Sequence, residues 1–177
     1  DFFANNVKII SDIIIADGVE FTAYNYVWSE ETSSVNFPKI TIGSGRFEAT
    51  SAKLRNLHIS GATDGEVSIT RSSLINCTFE PPGSSSRDSR YMMNLNYFEN
   101  VNTGYLIDIY YPEYVWIVNN VFYNTGQFSL ALSSNYSNAF IFWQNIFVNS
   151  NIMETYPSWN YDQTKVGHIK YWASNNN

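Results

Sequence analysis

The chain has 177 residues, 44% apolar and only 15% charged, which excludes disorder and fits a single domain with its own core. A formal net charge of -6 and a pI near 4.8 exclude nucleic acid as a favourable partner, because a phosphate backbone would be repelled. No stretch reaches the roughly 18 consecutive apolar residues of a membrane span. The single cysteine, Cys77, excludes an intramolecular disulfide framework and a multi-cysteine metal site.

The first part of the chain carries only loose strand signals. It begins at Asp1 without an initiator Met, so we expect that a signal peptide has been removed or that the chain is part of a longer protein. Short isoleucine-rich runs at 9–10, 13–15 and 40–42 indicate strands. We expect residues 1–177 to form one domain, whose regular part covers about residues 50–150.

A short phrase recurs in that regular part, every 19 to 25 residues. Its copies are Asn56-Leu57-His58-Ile59, Asn76-Cys77-Thr78-Phe79, Leu95-Asn96-Tyr97-Phe98, Asn119-Asn120-Val121-Phe122 and Gln144-Asn145-Ile146-Phe147. The runs between the copies are short, β-branched and aromatic, which indicates strands with almost no helix. Pro81-Pro82-Gly83 marks a loop excursion at 80–90, and Tyr156-Pro157 begins a second one.

Strands that recur at such a step predict a parallel β-solenoid, and a chain of this length would give about six to eight coils. We expect one buried apolar column, made of Ile59, Phe79, Phe98, Phe122 and Phe147. Asn100, Asn124 and Asn149 should share a corner, because Asn tolerates left-handed backbone and its amide can bond the next coil. A β-sandwich with Asn-rich turns would explain the strands but not the repeated phrase.

The phrase Ile117-Val118-Asn119-Asn120-Val121-Phe122-Tyr123-Asn124, echoed at 142–149, resembles the coils of the pectate-lyase-like superfamily. The resemblance covers about residues 50–150 and implies an all-β, single-stranded, right-handed parallel β-helix. It says little about activity, since the superfamily includes lyases, hydrolases, tailspikes, adhesins and non-catalytic glycan binders.

Metal and cofactor signals are weak. His58 and His168 lack any zinc-motif spacing, and we predict no cofactor. Calcium would need clustered carboxylates, and the nearest sets are Asp12 with Asp17 and Glu20, or Asp108 with Glu113. Neither set has the spacing of an EF-hand loop.

The sequence predicts no catalytic residues. A uronate lyase needs basic side chains, but residues 91–164 contain no Lys or Arg. Arg71, Arg87 and Arg90 form an alternative basic site, which could serve a polysaccharide lyase or a glycoside hydrolase with help from Asp108. The paired carboxylates of a hydrolase are not evident in the sequence, although residues from different coils could converge.

Exposed aromatic side chains carry the leading interpretation, a non-catalytic β-helix that recognises extracellular or cell-surface polysaccharide. The predicted ligand-binding residues are Asp108, Tyr110, Tyr114, Trp116 and Trp143. Aromatic rings stack on the apolar faces of sugars while polar groups take the hydroxyls, so binding there should respond weakly to salt. The alternatives are the enzyme described above and a structural solenoid of an adhesin or tailspike.

We expect the protein to be secreted or displayed at the cell surface. The sequons at Asn76 and Asn135 would then be open to glycosylation.

Overall fold

The computed structural model describes residues 1–61, 66–80, 90–101, 107–109, 114–125, 128–132, 139–150, 152–154 and 174–175. Helix in this part of the chain is limited to the 3-10 turn Ser34–Asn36, and the rest of the regular structure is β. The all-β prediction is therefore confirmed. No helix among these residues has the length and apolarity that crossing a membrane requires.

The chain alternates between long and short β-segments. The first six strands are β1 (Phe2–Lys8), β2 (Ile13–Ile15), β3 (Glu20–Trp28), β4 (Lys39–Ile42), β5 (Arg46–Arg55) and β6 (His58–Gly61). After β6 each long segment is divided in two. The next six strands are β7 (Glu66–Thr70), β8 (Ser73–Ile75), β9 (Thr78–Glu80), β10 (Arg90–Asn94), β11 (Tyr97–Glu99) and β12 (Ile107–Ile109).

The remaining strands continue this order. They are β13 (Tyr114–Val118), β14 (Val121–Tyr123), β15 (Phe128–Leu132), β16 (Ala139–Trp143), β17 (Ile146–Val148), β18 (Ile152–Glu154) and β19 (Ser174–Asn175). The segments 81–89, 133–138 and 155–173 lie outside the described residues, so the predicted loop excursions at 80–90 and near Tyr156 stay predictions.

All the described strand pairs are parallel, which confirms the predicted β-solenoid. The long segments form a twelve-stranded sheet, in which β7, β10, β13 and β16 extend from the first half of β5. The strands β8, β11, β14 and β17 extend from its second half. The short strands form two further sheets, β2-β4-β6-β9 and β12-β15-β18. We call each level of this stack a rung, and adjacent rungs lie about 4.8 Å apart.

The solenoid has about 4 turns, fewer than the six to eight coils predicted. The prediction divided the whole chain by one repeat step, so it counted every rung of the long sheet, including rungs whose third side is not continuous with the rest. The four strands β2, β4, β6 and β9 form one continuous sheet, which is the third side of the first turns. Beyond Glu80 the third-side strands belong to the separate sheet β12-β15-β18.

Two columns of left-handed residues bend the chain on successive rungs, all with φ between 50° and 58°. The first bend contains Asn6, Asn25, Ser51, Arg71, Leu95, Asn119 and Gln144. The second bend contains Asn56, Asn76, Asn100, Asn124 and Asn149. Because few residues other than Gly and Asn adopt this conformation readily, Asn dominates the two columns.

The predicted corner of Asn100, Asn124 and Asn149 is confirmed at the second bend, and hydrogen bonds to an adjacent rung are described for Asn100 and Asn124; we call this set the outer column. The Asn100 side chain donates to Asn76 Oδ1 at 3.0 Å, and the Asn124 side chain donates to Asn100 Oδ1. The column extends to Asn76, which the sequence alignment had placed elsewhere. These amides are solvent-exposed, so they bond adjacent rungs along the surface of the solenoid.

The apolar column predicted from the sequence is partly wrong. Phe98, Phe122 and Phe147 stack with ring centroids 4.7 Å apart, and the residue of β8 in register with Phe98 is Leu74. The other two members, Ile59 and Phe79, are fully buried but pair with each other on the third side, between β6 and β9. Both bends are followed by the same pattern of inward, outward and inward residues, so the alignment took one bend for the other.

A polar ladder runs inside the solenoid, directly after the first bend. Asn96, Asn120 and Asn145 are buried there, with exposures of 2%, 0% and 4%. Each amide oxygen accepts the backbone N–H of the preceding rung, as Asn120 Oδ1 does from Asn96 at 3.0 Å. Each amide nitrogen donates to a carbonyl of the preceding rung, as Asn120 does to Met93 at 2.9 Å. Each rung thus satisfies the buried backbone groups of the bend before it.

Candidate functional site

The backbone brings three of the predicted ligand-binding residues into one sheet. Tyr114 and Trp116 lie on β13, and Trp143 lies on the neighbouring strand β16, in register with Val118. Asp108 lies on β12, in the separate sheet formed with β15 and β18. Tyr110 lies outside the described residues.

Trp116 is the predicted aromatic residue whose exposure is described. It is 44% exposed, and its register neighbour on β10 is Met92. It lies on the outer face of its sheet, three residues before the first bend residue Asn119. The prediction that this aromatic set binds ligand stays a prediction.

The alternative basic site is spread along the strands. Arg71 lies at the first bend. Arg90 begins β10, and its Nε lies 3.8 Å from Glu66 Oε1. Glu66 lies on the rung next to Arg90, and it precedes Arg71 by five residues along its own rung. The backbones of Arg71 and Arg90 are therefore separated by about 16 Å along the strand direction. Arg87 lies outside the described residues.

Outside the first bend runs a shallow groove of about 650 Å³, which we call the bend groove. It crosses the strands, so its lining comes from successive rungs. Its side chains include Asn25, Lys53, Arg71, Ser73, Tyr97 and Asn119. From the rung of Asn25 to that of Asn119 the groove spans four spacings, or about 19 Å.

The left-handed residues of the first bend determine which side chains line the bend groove. From the rung of Ser51 onwards, the residue after the left-handed one points inward, as buried Asn96 does, and the next one points outward. That outward position holds Lys53, Ser73, Tyr97 and Val121 on consecutive rungs. The groove therefore shows one side chain per rung in a regular column.

Tyr97 is the aromatic side chain of the groove, and it is 38% exposed. Partial desolvation, followed by the charge of Glu99 and a hydrogen bond to it, raises the pKa of Tyr97 above its ordinary value. The phenol therefore stays protonated at neutral pH and donates to the Glu99 carboxylate.

The groove is cationic on the rungs of β5 and β7–β8. Lys53 and Arg71 are both exposed, and the Lys53 ammonium lies 5.7 Å from the centroid of the Tyr26 ring. Within the described part of the chain, neither cation forms an ion pair with a carboxylate. Some other cations are paired, as Lys8 is with Glu30 at 2.7 Å and Arg46 is with Glu48 at 2.9 Å.

Sequence reasoning missed Lys53 and Tyr97 as site residues. It treated Arg71 and the aromatic half of the chain as rival sites, whereas the bend groove contains Arg71 beside Tyr97. Lys53 and Tyr97 could have been found from their position, because each lies two residues after a left-handed residue of the first bend. Using this position requires knowing which bend each phrase follows.

Three of the carboxylates considered for calcium have separate partners, whereas Glu113, considered together with Asp108, lies outside the described residues. Asp12 accepts the backbone N–H of Lys39 at 2.8 Å, and Asp17 accepts that of Ser44 at 3.2 Å. Glu20 lies 4.0 Å from Arg46. Among the residues that the structure describes, no three His, Cys, Asp or Glu side chains come together as a metal site would require.

His58 and Asn76 also have partners. His58 Nε2 lies 3.1 Å from Glu80 Oε2. Asn76, the first residue of a sequon, accepts a hydrogen bond from Asn100 in the outer column. The sequon at Asn135 lies outside the described residues.

No family model, curated protein or solved structure matches this chain. The fold assignment therefore depends on the parallel pairing of the strands and on the two bends.

Proposed function

We propose that the protein recognises extracellular or cell-surface polysaccharide, without catalysis, by binding the glycan in the bend groove. The observation that carries the proposal is the regular column of outward side chains along the groove. A linear polymer repeats its groups at a fixed interval, and the rungs repeat theirs about every 4.8 Å.

The chemistry of the lining supports a sugar ligand. Tyr97 offers an apolar ring face with a polar edge, which suits the C–H face of a pyranose. Asn25, Ser73 and Asn119 offer amides and a hydroxyl that can exchange hydrogen bonds with sugar hydroxyls.

The finer structural assignment forms part of the proposal. The phrase at 117–124 supports a place in the pectate-lyase-like superfamily. We also propose a right-handed coil, the hand that parallel crossover connections nearly always take. A polysaccharide ligand of this kind implies a protein that is secreted or displayed at the cell surface.

A glycan-array screen followed by titration of two matched variants tests the function. Tyr97→Ala removes the aromatic ring that lines the groove. Trp116→Ala removes an exposed ring that lies on β13, outside the groove. If Tyr97 is a central anchor, its loss should cost at least about 2 kcal/mol, or about thirtyfold in Kd. Trp116→Ala should leave Kd within about twofold of the parent.

Three outcomes would contradict the proposal. If no glycan binds, polysaccharide recognition is wrong, and a structural solenoid becomes the better explanation. If Trp116→Ala abolishes binding while Tyr97→Ala does not, the site lies on the face predicted from the sequence. If the bound polymer is cleaved with an unsaturated or hydrolysed product, the protein is an enzyme.

A further inference from the structure

The bend groove changes character along its length. On the rungs of β5 and β7–β8 it carries Lys53 and Arg71. On the next two rungs it is lined by Leu95, Tyr97 and Val121, which carry no charge. The rung of β3, before Lys53, adds the uncharged Asn25. From Lys53 towards Val121, a ligand lying along the groove therefore meets a cationic end first and an uncharged end afterwards.

The cationic end can bind an anion at little cost. Both cations are exposed and, in the described part of the chain, neither is committed to a carboxylate. They occupy adjacent rungs, so their backbones lie about 5 Å apart along the axis, and they are offset by two positions along the strand, because Lys53 is in register with Ser73. An anionic group between them could accept charge-assisted hydrogen bonds from both.

The uncharged end disfavours an anion. Leu95 is 50% exposed there beside Tyr97, and the Glu99 carboxylate is bonded to the Tyr97 hydroxyl. No Lys or Arg occurs anywhere between residues 91 and 164. A second anionic group at this end would meet apolar surface with no cation beside it.

We propose that the ligand of the bend groove is an acidic heteropolysaccharide, in which an anionic sugar is followed by an uncharged one. This inference rests on the proposed function. The anionic sugar lies against Lys53 and Arg71, and the uncharged neighbour stacks on Tyr97 one rung further along. A polymer charged at every sugar and a polymer with no charge each match only one end.

Titration calorimetry at low salt with three kinds of polymer tests this selection. The probes are hyaluronan and unsulfated chondroitin, which alternate a uronate with an uncharged N-acetylated sugar; polygalacturonate, which is charged at every sugar; and dextran, which is uncharged. An alternating polymer should bind at least about tenfold more tightly than polygalacturonate and dextran.

Two variants locate the selective contact. Arg71→Gln should weaken binding of the alternating polymer at least about tenfold and reduce its salt dependence. Arg55→Gln is the matched control, because Arg55 is an exposed arginine on β5 outside the groove. It should change the affinity less than about twofold.

The failures of the two proposals are distinguishable. If dextran binds as well as the alternating polymers, and Tyr97→Ala abolishes binding while Arg71→Gln does not, charge selection is wrong but glycan recognition stands. Equal affinity for polygalacturonate also overturns the selection. If none of the four polymers binds, the acidic heteropolysaccharide is wrong, and the array screen alone decides the function.

Discussion

The buried amide ladder gives the sharpest prediction, for Asn120→Ala. The Asn120 side chain is fully buried and accepts the backbone N–H of Asn96 at 3.0 Å. It also donates to the carbonyl of Met93 at 2.9 Å. Alanine supplies neither bond, so the variant leaves one buried donor and one buried acceptor unpaired.

The expected loss follows from those two groups. Each unpaired buried group costs about 1–3 kcal/mol, so the free energy of unfolding should fall by about 2–6 kcal/mol. The backbone N–H of Asn120 keeps its own bond to Asn145 Oδ1, so the damage falls on the preceding rung. Urea denaturation, with an unchanged m-value, measures the loss.

Asn124→Gly is the matched control. It deletes an amide of the outer column, where the hydrogen bond is exposed, and glycine accepts the left-handed backbone without strain. Its cost should stay within about 1 kcal/mol. Hydrogen exchange at the Asn96 amide should accelerate in Asn120→Ala and not in the control. Equal stability losses in the two variants would refute the ladder argument.

Three further predictions concern the core, the thiol and a surface carboxylate. Phe122→Ala, which empties the middle of the ring stack, should cost about 3–5 kcal/mol in urea denaturation; a loss below 1 kcal/mol would contradict the stack. Burial raises the pKa of Cys77 to about 12, so a thiol reagent at pH 8 should label it only after unfolding; rapid labelling of the native protein would contradict this. Hydrogen bonds from Ser44 lower the pKa of Asp17. The stability that these bonds contribute should therefore be lost only as the pH falls through the lowered pKa. NMR titration should show a higher Asp17 pKa in Ser44→Ala, and an unchanged pKa would contradict the contact.

The fold could be predicted from the sequence because a repeated local phrase imposes a repeated local backbone. Asn100 and Asn124 were placed at one corner because Asn suits the left-handed conformation. The role of Asn120 was missed because the two adjacent asparagines differ in structure. Asn119 has the left-handed backbone of the bend, whereas the side chain of Asn120 points into the core. Residue type alone does not distinguish them.

The site was harder to predict because it depends on long-range register. Arg71 and Tyr97 are 26 residues apart and line one groove only because β8 and β11 pair side by side. An error of one bend in the alignment moves every outward side chain to another face. The sequence therefore indicated exposed aromatic rings but not which of them shares a groove with the cations.

Mapping amide chemical shifts during titration with the bound polysaccharide tests the central claim most directly. Binding in the bend groove should shift the amides of Arg71, Ser73, Tyr97 and Asn119, which lie on three consecutive rungs. The amide of Trp116, which lies on β13 before the first bend, should keep the chemical shift that it has without ligand. Shifts centred on Trp116, with Arg71 and Tyr97 unmoved, would contradict the assignment of the groove.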